Sequence, residues 1–436
     1  DFMAQDHSCD HHGVPFRSLS DHLAAVLAVG KPTTTRTVAT EESAGLVLAA
    51  DARANLPVPP FSNSAMDGFL VRATDLPAGA GPWELPVSGD IPAGQTPVDV
   101  VPGTAVRIMT GAPTPVNTEG LMVVPVEDTN IPAGAVALPD KVVVTTAHHD
   151  RTHIRHRGEN CQVGDVIAHA GTVTDAGVIA SLLSTGVTSV AAYDRPTVAV
   201  ISAGDELVAS VDSVDQLRPG TIPDSNRPML AELLREQGVA KVRSVVVNDD
   251  AATFRKQLDA LSRECDLVVT SGGVSAGAFD VVKEALTKPA TTDTTGVTDM
   301  WFGPVQIQPG KPQGLGRVNG TPVICLPGNP VSSFVCFYLF VMPLVRVLSG
   351  IPPQAAAQQA RLMLPSHDHI KAPKGRDLFI PCAIDWTEGD VHPVIPGGMG
   401  SHFVASLVGI SAIIHLPQDH GKTQPGDLVP VILLKV

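Results

Sequence analysis

The chain has 436 residues, 44% of them hydrophobic and 17% charged, with a formal net charge of −14. That is enough apolar sequence for about three domain cores, and the acidic balance disfavours general binding to nucleic acid or anionic membranes. An aromatic content of 4% leaves few platforms for stacking single-stranded bases, whereas a small anionic ligand stays open wherever Lys and Arg gather locally. No signal-peptide pattern opens the sequence. The six cysteines, Cys9, Cys161, Cys265, Cys325, Cys336 and Cys382, form no CxxC pair. The expectation is a reducing, cytoplasmic protein with neither structural disulfides nor a zinc site, and with Cys325 and Cys336 in the core.

Taken in order, residues 1–12 read as a disordered tail in which His7, Cys9, His11 and His12 could chelate metal adventitiously. Residues 18–29 form an amphipathic helix, with Leu19, Leu23, Val26 and Leu27 on one face, a serine cap and Gly30 to end it. A second helical piece is predicted over 42–50. From Leu56 to about Gly164 the chain is rich in Pro, Gly and Val, and 106–109, 121–126 and 141–146 are strand candidates. Pro125 points to an edge position for the second of these. Helical spacing resumes over 175–185. The division expected is a discontinuous helical stalk (13–48 and 164–194) carrying an inserted β-rich module (49–163).

Residues 195–350 alternate strand and helix. Strands are expected at 197–202, 242–247, 267–269, 305–308 and 322–326, and helices at 228–237, 251–261, from about Ala278, and at 331–348. The last of these is interrupted by Pro343 and Arg346 and reads as a buried helix, not a membrane span. Asn319-Gly320 is a hairpin turn. The fold class is therefore multidomain α/β, with a doubly wound α/β domain, the inserted module on its stalk, and a small C-terminal β domain over 351–436. The last has strands at 361–364, 377–384, 412–416 and 428–434 and a helix at 402–408.

In a doubly wound sheet, ligands bind beyond the carboxyl ends of the strands. Those ends carry Ala203-Gly204-Asp205-Glu206, Asn248-Asp249-Asp250, Ser271-Gly272-Gly273 and Pro327-Gly328-Asn329-Pro330. The stretch 266–280, DLVVTSGGVSAGAFD, is the centre of this set: a strand, a glycine turn and a helix with Asp280 in its first turn. Backbone N–H groups at such a turn can approach an anion, although Asp280 alone also reads as a helix-dipole carboxylate. No Lys-Ser or Lys-Thr follows, so it is not a P-loop. Carboxylates beside a glycine turn suit Mg²⁺ with a phosphate ester. The residues by themselves lead to an anionic, nucleotide-like ligand. Elsewhere, 62–68 reads as either a functional loop or an Asx-rich turn. Arg155, His156 and Arg157 are either an oxyanion site or a solvated edge. His153, His156, His402 and His415 show no ligand spacing and read as surface or packing residues. No HExxH, Ser-His-Asp order or GxGxxG fingerprint occurs.

Six stretches in order, SNSAMDGFLVR, RIMTGAP, SAGDEL, TSGGVSAGAFD, QPGKPQGLG and LPGNPVSSF, make the chain resemble the molybdopterin molybdenumtransferase family, the molybdenum insertases of molybdenum-cofactor synthesis, from about Pro15 to the end. The resemblance implies an elongated four-domain homodimer whose α/β domain is the molybdopterin-binding fold. It implies that adenylylated molybdopterin and molybdate are the substrates, that molybdenum is placed on the dithiolene sulfurs, and that AMP leaves with the help of Mg²⁺. Asp67 would be the functional carboxylate, reaching the site from the partner subunit, with Thr110 beside it. Glu206, Asp249 and Asp280 would form the acidic rim for Mg²⁺ and pterin or phosphate contacts. Ser271, Gly272 and Gly273 would hold the pyrophosphate, with Pro327, Asn329 and Pro330 of the LPGNP loop and Arg155 as further substrate contacts. Lys311, Arg376 and Ser401 match positions associated with molybdate, an oxyanion that suits a Lys, an Arg fork and a hydroxyl.

Two positions depart from the common family pattern: Gln308 where many members have Lys, and Asn160 where many have Asp. The first removes a cation from the molybdate pocket. Tungstate shares the charge and shape of molybdate, so the sequence does not separate the two. Two other readings use the same fold: a molybdopterin adenylyltransferase, which lacks the extra domains, and a non-enzymatic scaffold similar to the receptor-binding domain of gephyrin. Contacts with an adenylyltransferase or with molybdoenzymes are expected partners.

Overall fold

The computed structural model describes residues 14–79, 81–208, 211–274, 280–287, 296–393 and 400–434. The expected N-terminal tail and the start of the helix near Ala278 lie outside them. The chain falls into two compact units: one takes the residues up to Arg36, Gly45–Ala49 and everything from Ala191, the other Thr37–Ala44 and Ala50–Val190. Helix α1 (Leu19–Ala28) belongs to the first. It starts at Ser18, whose side chain accepts the Asp21 N–H.

The second unit is built on short strands: β1 (Asn63–Ser64), β2 (Gly68–Arg72), β3 (Trp83–Ile91), β4 (Ala105–Ile108), β5 (Leu121–Pro125), β6 (Lys141–Val144) and β7 (Ile154–Arg155). Five of them make one sheet in the order β5-β2-β4-β3-β6, and β1 pairs separately with β7. Phe69 and Val71 enter one apolar cluster and Leu70 enters another, so both faces are covered. β5 is an edge strand and ends at Pro125, which suits a residue that cannot donate to a ladder. Helix α2 (Ala176–Ser184) is capped by Asp175. The helix expected over 42–50 does not form. A single 3₁₀ turn occupies Thr40–Glu42, and Gly45 at φ +72° ends any helical course.

The first unit continues with β8 (Thr197–Ala203), α3 (Asn226–Glu236), β9 (Lys241–Val247), α4 (Ala251–Glu264), β10 (Leu267–Ser271), α5 (Val281–Thr287), β11 (Val297–Pro304), β12 (Ile307–Gln308), β13 (Pro312–Val318) and β14 (Thr321–Leu326). Six strands form one sheet in the order β9-β8-β10-β14-β13-β11. The first four are parallel, while β13 and β11 are antiparallel additions. Val198, Val200, Val269 and Ile324 pack against α1 and α3, and Ala199, Ile201, Val268 and Val323 pack against α4 and α5. The sheet is thus wound on both faces. Asn319 and Gly320 both take positive φ at the β13–β14 turn, the backbone a two-residue hairpin needs. Thr270 and Ser271 continue β10, although the sequence suggested that the strand stops before them. Helix α3 begins at Asn226 and not at Pro228.

Helix α6 (Pro330–Leu348) is long and apolar enough to cross a membrane, but 94% of its apolar window is buried in the molecule. Residues Phe337–Val341 form a π turn. Pro343 lacks an N–H and would crowd the carbonyl of Leu339 in a regular helix, and the wider turn relieves this. The freed Tyr338 carbonyl accepts the Gln359 side-chain N–H at 2.8 Å. Burial pushes the Cys325 and Cys336 thiols up to about 12.

The C-terminal sheet comprises β15 (Arg361–Pro365), β16 (Asp377–Asp385), β17 (Asp390–Pro393), β18 (Ala412–Leu416) and β19 (Leu428–Leu433). The strand expected over 305–308 is shorter, and it belongs here. β12 pairs in parallel with β16, giving the order β12-β16-β18-β19-β15, with β17 on β16. The helix expected over 402–408 is a 3₁₀ turn, Val404–Leu407.

His22 of α1 is fully buried against Trp301 and Phe340. Burial, with a smaller contribution from Arg17, brings its pKa down to about 3. A histidine depressed in the fold stabilises it above the unfolded value of about 6.5. That contribution is lost as pH falls from there towards 3. His22→Phe keeps the ring contacts without the proton. Its loss of stability between pH 7 and pH 5, measured by denaturant unfolding, should be smaller than the parent's by about 2 kcal/mol.

Candidate functional site

In the first unit the strand register builds a cradle. Ser202 lies opposite Ser271, and Ser271 opposite Leu326. Gly272-Gly273 and Pro327-Gly328 therefore leave the sheet side by side. Gly272 and Gly273 adopt φ of +91° and +68°. A Cβ on Gly273 would sit 2.5 Å from the Val282 side chain and 3.1 Å from Asp280 Oδ1, and one on Gly328 would sit 3.5 Å from the Gly272 Cα. The floor is thus bare backbone, closed in by its own helix. The Gly272 N–H is donated to the Leu326 carbonyl at 3.1 Å, so it is not free for an anion as the sequence suggested. The donors of the turn begin at Gly273.

Asn226, which sequence reasoning missed, ties this cradle together. Its Nδ2 donates to Ser271 Oγ at 2.8 Å and to the Gly328 carbonyl at 2.6 Å. The residue is 8% exposed and its Oδ1 is an unpartnered buried acceptor. Asp224 was missed as well: it holds Arg227 at 2.8 Å and accepts the Ser202 hydroxyl at 3.2 Å. Asn226 belongs to a Ser-Asn run that reads as a helix lead-in, and nothing in the sequence marks Asp224.

At the next strand ends, Asp205 and Asp249 brace one another. Each backbone N–H donates to the other's carboxylate at 3.1 Å. Glu206 and Asp249 are exposed. Asp280 is buried and occupies the position just before α5, not its first turn.

On the other side of the cradle, Asn329 Nδ2 donates to Ser401 Oγ at 2.9 Å, and the Val331 N–H donates to the Ser401 carbonyl. The structure thus joins Ser401 to the LPGNP loop across 72 residues of sequence. Pro330 is the first residue of α6, and the Pro327 carbonyl accepts the Ser333 hydroxyl. Lys311 lies on the loop after β12, its Nζ 5.0 Å above the Phe16 ring. The β12–β16 ladder sets Ile307 opposite Asp377 and Gln308 opposite Leu378. Arg376, next to Asp377, therefore lies level with Gln306, two residues of register before the partner of Gln308.

The second unit holds the other predicted residues. Asp67 follows β1 and precedes β2. Its Oδ1 accepts the Thr110 N–H at 2.6 Å and the Thr110 hydroxyl at 2.8 Å. These two bonds hold its carboxyl below the usual carboxylate range. The Ser64 hydroxyl accepts the Met66 N–H, so the local turn is real and the carboxylate is placed by it. Arg155 is exposed on β7, opposite Asn63. Arg157 bonds the Pro60 carbonyl, and Glu159 caps the His156 N–H.

The family profile described as "Probable molybdopterin binding domain" matches residues 199–347. Those for the MoeA N-terminal region (domain I and II) and the MoeA C-terminal region (domain IV) match residues 17–186 and 364–434. "Molybdopterin molybdenumtransferase 2" of Mycobacterium tuberculosis is 37% identical over 420 residues, covering 95% of this chain and 99% of that protein. "Molybdopterin molybdenumtransferase" of Haemophilus influenzae is 31% identical, covering 92% and 94%. The crystal structure of the molybdopterin biosynthesis moeA protein from Pyrococcus horikoshii OT3 superposes with a TM-score of 0.78 at 25% identity, covering 96% of this chain and 100% of that one. The doubly wound sheet with its glycine cradle is the α/β domain that the first of these profiles covers. The chain belongs to the molybdopterin molybdenumtransferase family.

Proposed function

We propose that the protein transfers molybdenum from molybdate to adenylylated molybdopterin and releases AMP. The observation that carries this is the backbone cradle at Gly272, Gly273 and Gly328, pinned by Asn226 and flanked by exposed carboxylates. Such a floor lets a phosphate approach where a side chain would block it. Two thiol protons leave with one displaced oxide as water. Addition of water across the P–O–P bond gives AMP. Molybdenum stays at its highest oxidation state, so no redox partner is needed.

In this reading Glu206, Asp249 and Asp280 are the residues that would hold Mg²⁺. The donor set suits it: Asp249 uses only Oδ2 on the Asp205 N–H, and Mg²⁺ takes few carboxylates beside phosphate oxygens. When bound, the ion would neutralise charge developing on the phosphates. Gly273 and Asn329 orient the pyrophosphate, and Ser271 and Pro327 shape the cradle. Lys311, Arg376 and Ser401 receive molybdate. Asp67, held by its two bonds from Thr110, acts with Arg155 on substrate held by a second copy of the chain in a homodimer. The four-domain division given above and a cytoplasmic location belong to the same reading. Domains flanking the α/β domain favour the insertase over an adenylyltransferase.

The test is AMP release from adenylylated molybdopterin with Mg²⁺, with and without molybdate. Molybdate-dependent release supports the insertase. No release with substrate still bound would move the assignment to a scaffold. Gln308→Lys, which restores the cation that many family members carry at this position, should lower the molybdate concentration giving half-maximal rate several-fold. An unchanged value would remove Gln308 from the molybdate pocket.

A further inference from the structure

The β16–β17 hairpin carries a second cluster of donor groups, apart from the glycine cradle. Asp390 and His392 occupy alternate positions of β17 with buried Val391 between them. Both side chains therefore stand on one face of the strand. His367, just beyond β15, is drawn to that face because its backbone N–H donates to the Val391 carbonyl at 3.0 Å. Asp390 then meets both rings. Its Oδ2 lies 3.1 Å from His367 Nδ1 and its Oδ1 lies 2.9 Å from His392 Nε2. The two rings pack at 4.1 Å between centroids and 31° between planes. The ligand atoms of all three residues fall within 4.8 Å of one another.

A surface His-Asp-His group joined only by hydrogen bonds has similar distances. Three features point further. The donors come from a paired strand and from a loop pinned to it by a backbone bond, so their convergence does not depend on mobile side chains. Atoms bound about 2.0–2.2 Å from one Zn²⁺ lie roughly 3–3.5 Å apart; the two Asp390 contacts, at 3.1 and 2.9 Å, are near that range, and the remaining separation is within 4.8 Å. Finally, the stretch from Pro381 to Pro393 contains Asp385, Glu388 and Asp390 but no Lys or Arg, so the local field favours a cation. His367 and His392 are 56% and 37% exposed and Asp390 is 18% exposed, which leaves room for water to complete a coordination shell.

We propose that His367, Asp390 and His392 form a binding site for a borderline divalent cation of the zinc class. Two imidazole nitrogens and one carboxylate oxygen suit Zn²⁺, Co²⁺ or Ni²⁺, whereas Mg²⁺ prefers an all-oxygen shell. The site is independent of the insertase reading.

The test is Zn²⁺ titration of the full chain near neutral pH in competition with a chromogenic chelator. Co²⁺ absorption serves as a second readout of nitrogen ligation. His7, Cys9, His11 and His12 could also take metal, so the reference protein carries His7→Ala, Cys9→Ser, His11→Ala and His12→Ala. It should bind one equivalent of Zn²⁺ that excess Mg²⁺ does not displace. Adding His392→Ala, or separately His367→Gln, should weaken that binding at least about tenfold. His367 is more than half exposed, so its variant keeps the test valid should His392→Ala disturb the hairpin. No Zn²⁺ binding by the reference protein, equal binding by a folded His367→Gln variant, or displacement by Mg²⁺ would overturn the proposal.

Discussion

Asp67→Asn should leave the second unit folded and lower molybdate-dependent AMP release at least about a hundredfold. The asparagine keeps an oxygen for the two Thr110 donors, which both meet Oδ1. It loses only the charge and the acceptor at Oδ2, which takes no bond among the described residues. Circular dichroism and protease resistance equal to the parent's, together with lost turnover, would assign the loss to chemistry. A rate near the parent's would remove Asp67 from the catalytic residues. The direction of its pKa shift adds a pH expectation. A carboxyl held low stabilises the fold above its unfolded value of about 4 and loses that contribution as pH falls through the lower folded value. Asp67 therefore stays ionised through the neutral range and should add no limb to the rate profile there.

The neighbouring residue should behave in the opposite way. Gly68→Ala is expected to destabilise the second unit by about 3 kcal/mol. Gly68 pairs with Ile108 on one side and Pro125 on the other. A methyl group there would fall 2.0 Å from the Val124 carbonyl oxygen and 2.9 Å from its carbon. Those atoms belong to the adjoining strand, so relief requires β2 and β5 to separate. Limited proteolysis should cut first within residues 50–190 while the region from 191 onward persists. Parent-like resistance would show that the two strands do not approach as closely as the structure has them. Adjacent positions thus separate two failures, lost charge and lost fold.

The central parallel strands β8, β10 and β14 were legible because their apolar runs are nearly continuous. Leu267, Val268 and Val269 face both helix layers, so no polar alternation interrupts them. The two antiparallel strands β11 and β13 were not legible, and for β13 glycine is the reason. A Cβ on Gly314 would meet the Phe302 ring at 2.5 Å, and one on Gly316 would meet Met300 Sδ at 2.5 Å. The strand needs glycine to admit large neighbours across the ladder, yet in sequence PQGLG reads as a loop. The site divides in the same way. Glycines, carboxylates and the LPGNP loop stand at strand ends and can be located from alternation alone. Asn226, which joins Ser271 and Gly328 across 45 and 102 residues, has no local signature. The roles of Lys311, Arg376 and Ser401 came only through family resemblance, and of the three only Ser401 is tied to the cradle by the hydrogen bonds described here.

β12 has a consequence for how such proteins could be recombined. Two residues of chain leave the α/β domain after β11, lend a parallel edge strand to the C-terminal sheet, and return through Gly310 and Lys311 to β13. The Gln306 carbonyl also accepts the Asp377 N–H. The boundary between residues 350 and 351 offers an obvious crossover point, yet a chimera joined there would pair a borrowed C-terminal domain with a foreign edge strand. Its register would be set by the donor of residues 305–311, and an exchange of C-terminal domains should carry that segment along with the graft.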